Sequence, residues 1–188
     1  DREVLAILEP GVKQREDVWL RARALTQLAR RGGVEYVADA THDKDPRFRI
    51  LATRLARDYF GITATIHGDK RGTIQTGKRA VADPSAAVRR EWLLGLRDAD
   101  PARARPFIYE LMKQYDGKDR FYLEAIGIAV GHHDRARRAV ILADFDKEFP
   151  GWDDKVADLV WELRPPRVMP LLEKRLVDAR LPARQRAR

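Results

Sequence analysis

Cysteine is absent from this sequence. That removes disulfide staples, thiolate metal sites and cysteine nucleophiles together, and it fits a reducing or an oxidising compartment equally. Apolar runs are short, and none approaches the roughly 20 uninterrupted residues that a membrane-crossing helix needs. The start carries no basic region, apolar core and cleavage site, so it does not read as a signal peptide. Strand patterns are nearly missing too. The exception is ITATIH, residues 62–67, followed by GDKRG and TIQT. It reads either as a small hairpin or as an irregular loop, in both cases an insertion over 61–77.

What the sequence has in quantity is positive charge and apolar side chains. Lysine and arginine number 37 against 29 acidic residues, for a net charge of +8, while 44% of the chain is apolar. A field of that sign draws in nucleic acid, anionic lipid or acidic proteins. Arginine outnumbers lysine 28 to 9, and the plainer reading of many of these arginines is solvated helix surface. The chain opens at Asp1 without methionine and stops at LPARQRAR, where a helix is beginning, so a fragment of a longer chain is expected.

Self-similarity organises the rest. Five segments align: LRARA from Leu20, FRILA from Phe48, VRREW from Val88, FYLEA from Phe121 and ARQRA from Ala183. Each opens on an apolar residue, usually continues with arginine, and closes after two free positions, usually on alanine. A degenerate unit fits around Lys155 to Leu163. Aspartate and proline precede several of them, as in HDKDP, ADP and LP. Aspartate accepts hydrogen bonds from the free amides of a helix start, and proline suits the first turn because it has no amide to lose. Helices are therefore predicted to begin there, each with one apolar stripe. Others are predicted between them, at about Val34 to His42, Thr73 to Ala82, Arg103 to Tyr115, Arg135 to Glu148 and Arg167 to Asp178. The fold class expected is all-α, with helix pairs joined by tight turns.

On these segments the chain resembles the HEAT-repeat family, whose units are two antiparallel helices with an aspartate in the turn and valine-arginine opening the second helix. The resemblance covers about residues 16 to 188. It implies one domain over 1–188, a right-handed α-solenoid of about five irregular repeats. It also implies a ladder of polar contacts in which a turn aspartate stands six positions before an arginine. Asp43 and Arg49, Asp83 and Arg89, and Asp178 and Arg184 keep that spacing. Asp116 instead meets Tyr122, and Arg21 has Arg15 in the aspartate position, so the ladder is expected to lapse at those units. KDRFYLEAIGIA and LVWELRPPRVMPLLEKRL are similar to segments in the HEAT portion of large planctomycete-type proteins that also carry a propeller dehydrogenase-like domain and a haem-binding CxxCH domain. That second resemblance implies an exported setting, whereas a cytoplasmic one is expected without it.

Several residues invite chemistry and have quieter explanations. GTIQTGKR, residues 72–79, matches a phosphate loop through Lys78 but puts Arg79 where a magnesium-holding hydroxyl belongs, and no parallel sheet is expected to carry it. Lys70, Arg71, Lys78 and Arg79 remain as a basic cluster able to meet an anion. His132, His133 and Asp134 are adjacent, point in different directions around a helix end and suggest no metal. The pairs Asp98/Asp100, Asp144/Asp146 and Asp153/Asp154 read as capping residues, with no histidine or serine partner nearby. Trp92 and Trp161 read as core, and Trp152 as an apolar residue stapling a turn. Interleaved tryptophan and arginine also resembles the HEAT-like alkylpurine DNA glycosylases, which implies a basic concave groove for DNA.

Because the second helices line the concave surface in the HEAT family, the resemblance nominates Arg54, Arg57, Arg90, Arg97 and Arg120 as a binding face. The function expected is a non-catalytic scaffold presenting that face to a protein or to another domain of its own chain. No cofactor, metal or membrane span is expected. The alternative is a nucleic-acid-binding solenoid.

Overall fold

The computed structural model describes residues 2–13, 17–60 and 76–177, and every regular element among them is helical. The chain divides into two compact units, Asp1–Ala99 and Asp100–Arg188. The first holds α1 (Arg2–Lys13), α2 (Val18–Arg30), α3 (Val34–Ala40), α4 (Pro46–Leu55), α5 (Thr76–Val81) and α6 (Ala86–Leu96), with a π-helical turn at Ala56–Phe60 prolonging α4. The second holds α7 (Pro101–Lys113), α8 (Arg120–Val130), α9 (Arg135–Ile141), α10 (Phe145–Glu148), α11 (Asp154–Leu163) and α12 (Met169–Val177), with a 3-10 turn at Leu142–Asp144. The predicted insertion falls largely on residues 61–75, outside the described residues, and Thr76 and Gly77 belong to α5.

Aspartate starts most of these helices. Asp17, Asp45, Asp100, Asp119, Asp134 and Asp153 each accept a backbone amide of the following first turn at 2.8–3.0 Å. Pro46 and Pro101 occupy first-turn positions where no amide is missed. Each such cap stabilises its helix by about 1 kcal/mol.

In the first unit α1 packs on α2, α2 on α3 and α4, and α4 on α6. Leu25, Ala29, Val37, Phe48, Ala52 and Leu55 form the buried cluster. Alanine at 29, 52 and 56 lets neighbouring backbones approach, while each fully buried Leu or Phe contributes roughly 1.5–3 kcal/mol of transfer free energy. In the second unit α7 packs on α8 and α9, and α8 packs on α11. Ile108, Leu111, Met112, Ile126, Ile141 and Leu163 are buried there.

Two expectations fail here for identifiable reasons. The predicted single helix from Arg135 to Glu148 is broken. The hydroxyl of Tyr109 donates to the Ile141 carbonyl at 2.9 Å, and the Phe145 amide closes on Leu142 instead. The Phe121 segment is also out of register by one. Asp116 is followed by Gly117 at φ +80° and by Asp119 as the cap, three residues on rather than the two that separate Asp43 from Asp45. Phe121 is consequently 69% exposed, and Tyr122 is buried with its hydroxyl donating to the Leu111 carbonyl at 3.0 Å.

Candidate functional site

The polar spine of the first unit is built by three arginines and two aspartates. Arg49 donates from Nε to Asp83 Oδ2 at 2.7 Å and from Nη2 to Asp83 Oδ1 at 2.9 Å. Its Nη1 donates to the backbone carbonyl of Asp43 at 2.8 Å. Arg89 repeats the main-chain contact, from Nη1 to the Asp83 carbonyl at 2.6 Å. The six-residue spacing thus joins an arginine to the main chain of its own turn, and the carboxylate belongs to the arginine before. By this rule Arg21 needs no aspartate at position 15. It pairs with Asp43, donates from Nε to the Val12 carbonyl at 3.0 Å and lies 3.9 Å from the Phe48 ring centroid. The rung expected to lapse at Arg21 is present. Asp43 and Asp83 also accept the amides of Asp45 and Ser85, both at 2.8 Å, which fixes each turn. Burial pushes the Asp43 carboxyl up, but hydrogen bonds from Arg21 and the Asp45 amide outweigh it and hold its pKa below the ordinary value. Asp178 and Arg184 lie outside the described residues.

The second unit has no matching aspartate-arginine rung among its described residues. Helix-end carbonyls there are taken by other long donors. Arg137, itself buried, donates from Nε to the Ala129 carbonyl at 2.9 Å, and Arg138 donates to the Leu163 carbonyl. The Tyr115 hydroxyl reaches Asp158 at 3.4 Å, and burial, followed by the Asp158 charge, pushes its pKa up to about 12.

Most of the arginines nominated as a binding face are occupied. Glu91 is only 5% exposed and sits against two of them, with Arg54 at 2.9 Å and Arg57 at 3.3 Å. Arg57 also pairs with Asp58 at 3.0 Å. Arg97 pairs with Asp98 at 2.9 Å, and Arg120 with Glu124 at 2.9 Å. Arg90 is half-buried on α6. Spacing along the sequence carries no sign that the carboxylate of Glu91 is buried between the guanidiniums of Arg54 and Arg57. These side chains therefore form ion pairs instead of an open row of cations. In the loop cluster Arg79 is exposed; Lys70 and Arg71 lie outside the described residues, as does the Lys78 side chain.

What the α2 and α4 helices do leave open is apolar. Val18, Trp19, Ala22, Arg47, Phe48 and Leu51 line a groove of about 330 Å³ between them. Trp19 is 79% exposed beside it. The expected core position of Trp161 is overturned as well, since its side chain is 77% exposed. It follows buried Val160 by one residue, a turn of about 100° around the helix that carries it off the stripe of Ala157, Leu159 and Leu163. Trp92 is buried, and Trp152 is half-buried with the Arg175 guanidinium 4.5 Å from its ring centroid.

His132 faces Glu162 at 3.5 Å across the surface of Gly127, where a Cβ would come within 2.7 Å of both side chains. Among the described residues no three histidine, aspartate or glutamate side chains group as metal ligands. Asp144 pairs with Lys147 at 2.8 Å and Arg105 at 3.1 Å, and Asp100 and Asp153 are caps. No described helix is long and apolar enough to cross a membrane. No protein-family model, curated protein or solved structure matches the chain.

Proposed function

We propose that this chain is a non-catalytic protein-interaction module of the HEAT-repeat type, an α-solenoid whose second helices present a binding face to an amphipathic segment of a partner protein or of its own polypeptide. The observation that carries this reading is the character of the α2 and α4 surface. Arg21 and Arg49 are consumed by the turn aspartates, Arg54 and Arg57 by Glu91, and the groove left between the helices is apolar with Trp19 at its edge. The spine of Arg21, Asp43, Arg49 and Asp83 supports the repeat assignment, because it locks successive turns at a fixed spacing.

A phosphate backbone would need unpaired cations along the same face, and ion-paired arginines release few counterions. An apolar segment instead gains affinity by burying Trp19, the residue type that most often dominates an interface. Fluorescence-anisotropy titrations of duplex and single-stranded DNA test the choice. No binding is expected at low salt, and micromolar binding that weakens steeply as salt rises would overturn the proposal in favour of a nucleic-acid solenoid. In a peptide-display selection, peptides with apolar anchors should enrich on the wild-type protein and fail on Trp19→Ser. Peptides retained equally by both proteins would remove the groove from the reading.

A further inference from the structure

A second cavity lies within the Asp100–Arg188 unit. It measures about 310 Å³, and Phe145, Phe149 and Trp152 wall it from α10 and the segment after it. The two phenylalanine rings stand 4.9 Å apart between centroids. Lys174 and Arg175 line it from α12. Asp146 lines it as well, so the walls carry two positive charges against one negative. Its volume falls at the lower end of the ~300–1,000 Å³ typical of small-molecule sites.

Arg175 is what distinguishes this cavity. Its side chain is half-buried, with the guanidinium 4.5 Å from the Trp152 ring centroid. Half-buried arginines elsewhere spend their donors within the protein, Arg21 and Arg49 on turn aspartates, Arg105 on Asp144 and Arg138 on the Leu163 carbonyl. Arg175 has no hydrogen bond or ion pair among the described residues, and neither has Lys174. A guanidinium lying over an aromatic ring keeps its edge N–H groups for a planar carboxylate, which it meets with two parallel hydrogen bonds. An apolar wall and two uncommitted cations thus share one cavity.

We infer that this cavity binds a small apolar carboxylate, of the class of an aryl or medium-chain aliphatic acid. The carboxylate of the ligand takes the donors that Arg175 and Lys174 leave uncommitted, and its body packs among Phe145, Phe149 and Trp152. An amine of the same shape is disfavoured by the two cations. A carboxylate without an apolar body forgoes the aromatic wall. This site is separate from the α2 and α4 groove and stands whether or not that groove binds a partner.

Saturation-transfer NMR and calorimetry on the full chain with 3-phenylpropionate, its neutral amide 3-phenylpropanamide, phenethylamine and acetate test the inference. 3-Phenylpropionate is expected to bind about tenfold more tightly than the amide, which keeps the shape but loses the charge-assisted contact. Phenethylamine and acetate should bind more weakly still. The double variant Lys174→Gln, Arg175→Gln should abolish the preference for acid over amide, and Phe149→Ala should weaken both by a similar factor. Circular dichroism and thermal unfolding establish that each variant is folded. Rising salt should weaken the acid and spare the amide on the unaltered protein, which keeps the test open should a variant fail to fold. Absence of saturation transfer from millimolar 3-phenylpropionate overturns the inference. So does equal binding of acid and amide, or an unchanged preference in the folded double variant.

Discussion

Arg49 reaches across 34 residues of sequence to grip Asp83 with two parallel hydrogen bonds while a third nitrogen holds the carbonyl of Asp43. One side chain therefore ties two turns together, and both ion partners are mostly sheltered from solvent. Removing one partner of such a pair leaves the other desolvated, which costs more than the pair itself contributes. Arg49→Met should destabilise the protein by roughly 2–4 kcal/mol, below the full penalty for a completely buried charge. The double variant Arg49→Met, Asp83→Leu should cost clearly less than the sum of the single changes. Urea unfolding of the three variants measures the coupling, and simple additivity would show that the contact is idle.

Glu91 presents the same physics from the opposite side. Its buried carboxylate answers Arg54 and Arg57, so Glu91→Gln keeps the shape but removes the charge that both guanidiniums face. A loss of about 1–3 kcal/mol is expected, together with a small gain in low-salt binding to single-stranded DNA as Arg54 is released, Arg57 keeping its pair with Asp58. An unchanged anisotropy titration would mean that Arg54 remains engaged elsewhere.

Acid should unfold the protein through its turn aspartates. Asp43, Asp45, Asp116 and Asp144 all titrate below the ordinary 3.8. For Asp43 burial works upward and is outweighed by the Arg21 and amide hydrogen bonds. For Asp45 the Arg47 hydrogen bond leads, for Asp116 the Asp119 amide, and for Asp144 the Lys147 hydrogen bond. A carboxylate depressed in the folded state contributes its full stability above the unfolded value and loses it as pH falls through the folded one. Stability measured by denaturant midpoint should stay level as pH drops to about 4 on account of these groups and decline below it. Asp43→Asn should make that decline shallower.

Gly127 inside α8 and Gly131 at its C-terminal cap should respond differently to alanine. Gly131 sits at φ +92°, and an added Cβ would come 2.9 Å from Arg137 Cδ, so Gly131→Ala should cost about 1–2 kcal/mol or more. Gly127 lies inside the helix and its Cβ would meet only the ends of the His132 and Glu162 side chains. Those ends can swing away, and alanine's helix propensity offsets the lost contact by about 1 kcal/mol. Thermal midpoints should fall for Gly131→Ala and stay near wild type for Gly127→Ala.

The tryptophans give a direct check on burial. Trp92→Ala removes a buried indole and should cost about 3–5 kcal/mol, whereas exposed Trp161→Ala should change stability by less than about 0.5 kcal/mol. Acrylamide should quench Trp19 and Trp161 readily, and the red-shifted emission should weaken in Trp161→Phe and vanish only when Trp19 is replaced as well.

Local chemistry was legible along the chain. Asp45 before Pro46, Asp100 before Pro101 and Asp153 after Trp152 mark helix starts because a cap is a contact within three residues, and the apolar spacing around Phe48 and Val88 marks the faces that bury. The sequence alone therefore determined the all-α class of the described residues and where most of their helices begin. Which arginines are free was settled only by tertiary structure. Glu91 meets Arg54 and Arg57, and Arg21 meets Asp43, across distances in sequence that no periodicity encodes. Register was decided there too. One additional residue between Asp116 and its cap turns Phe121 outward and Tyr122 inward, because a helix rotates its side chains by about 100° per residue and a single step exchanges a buried face for an exposed one.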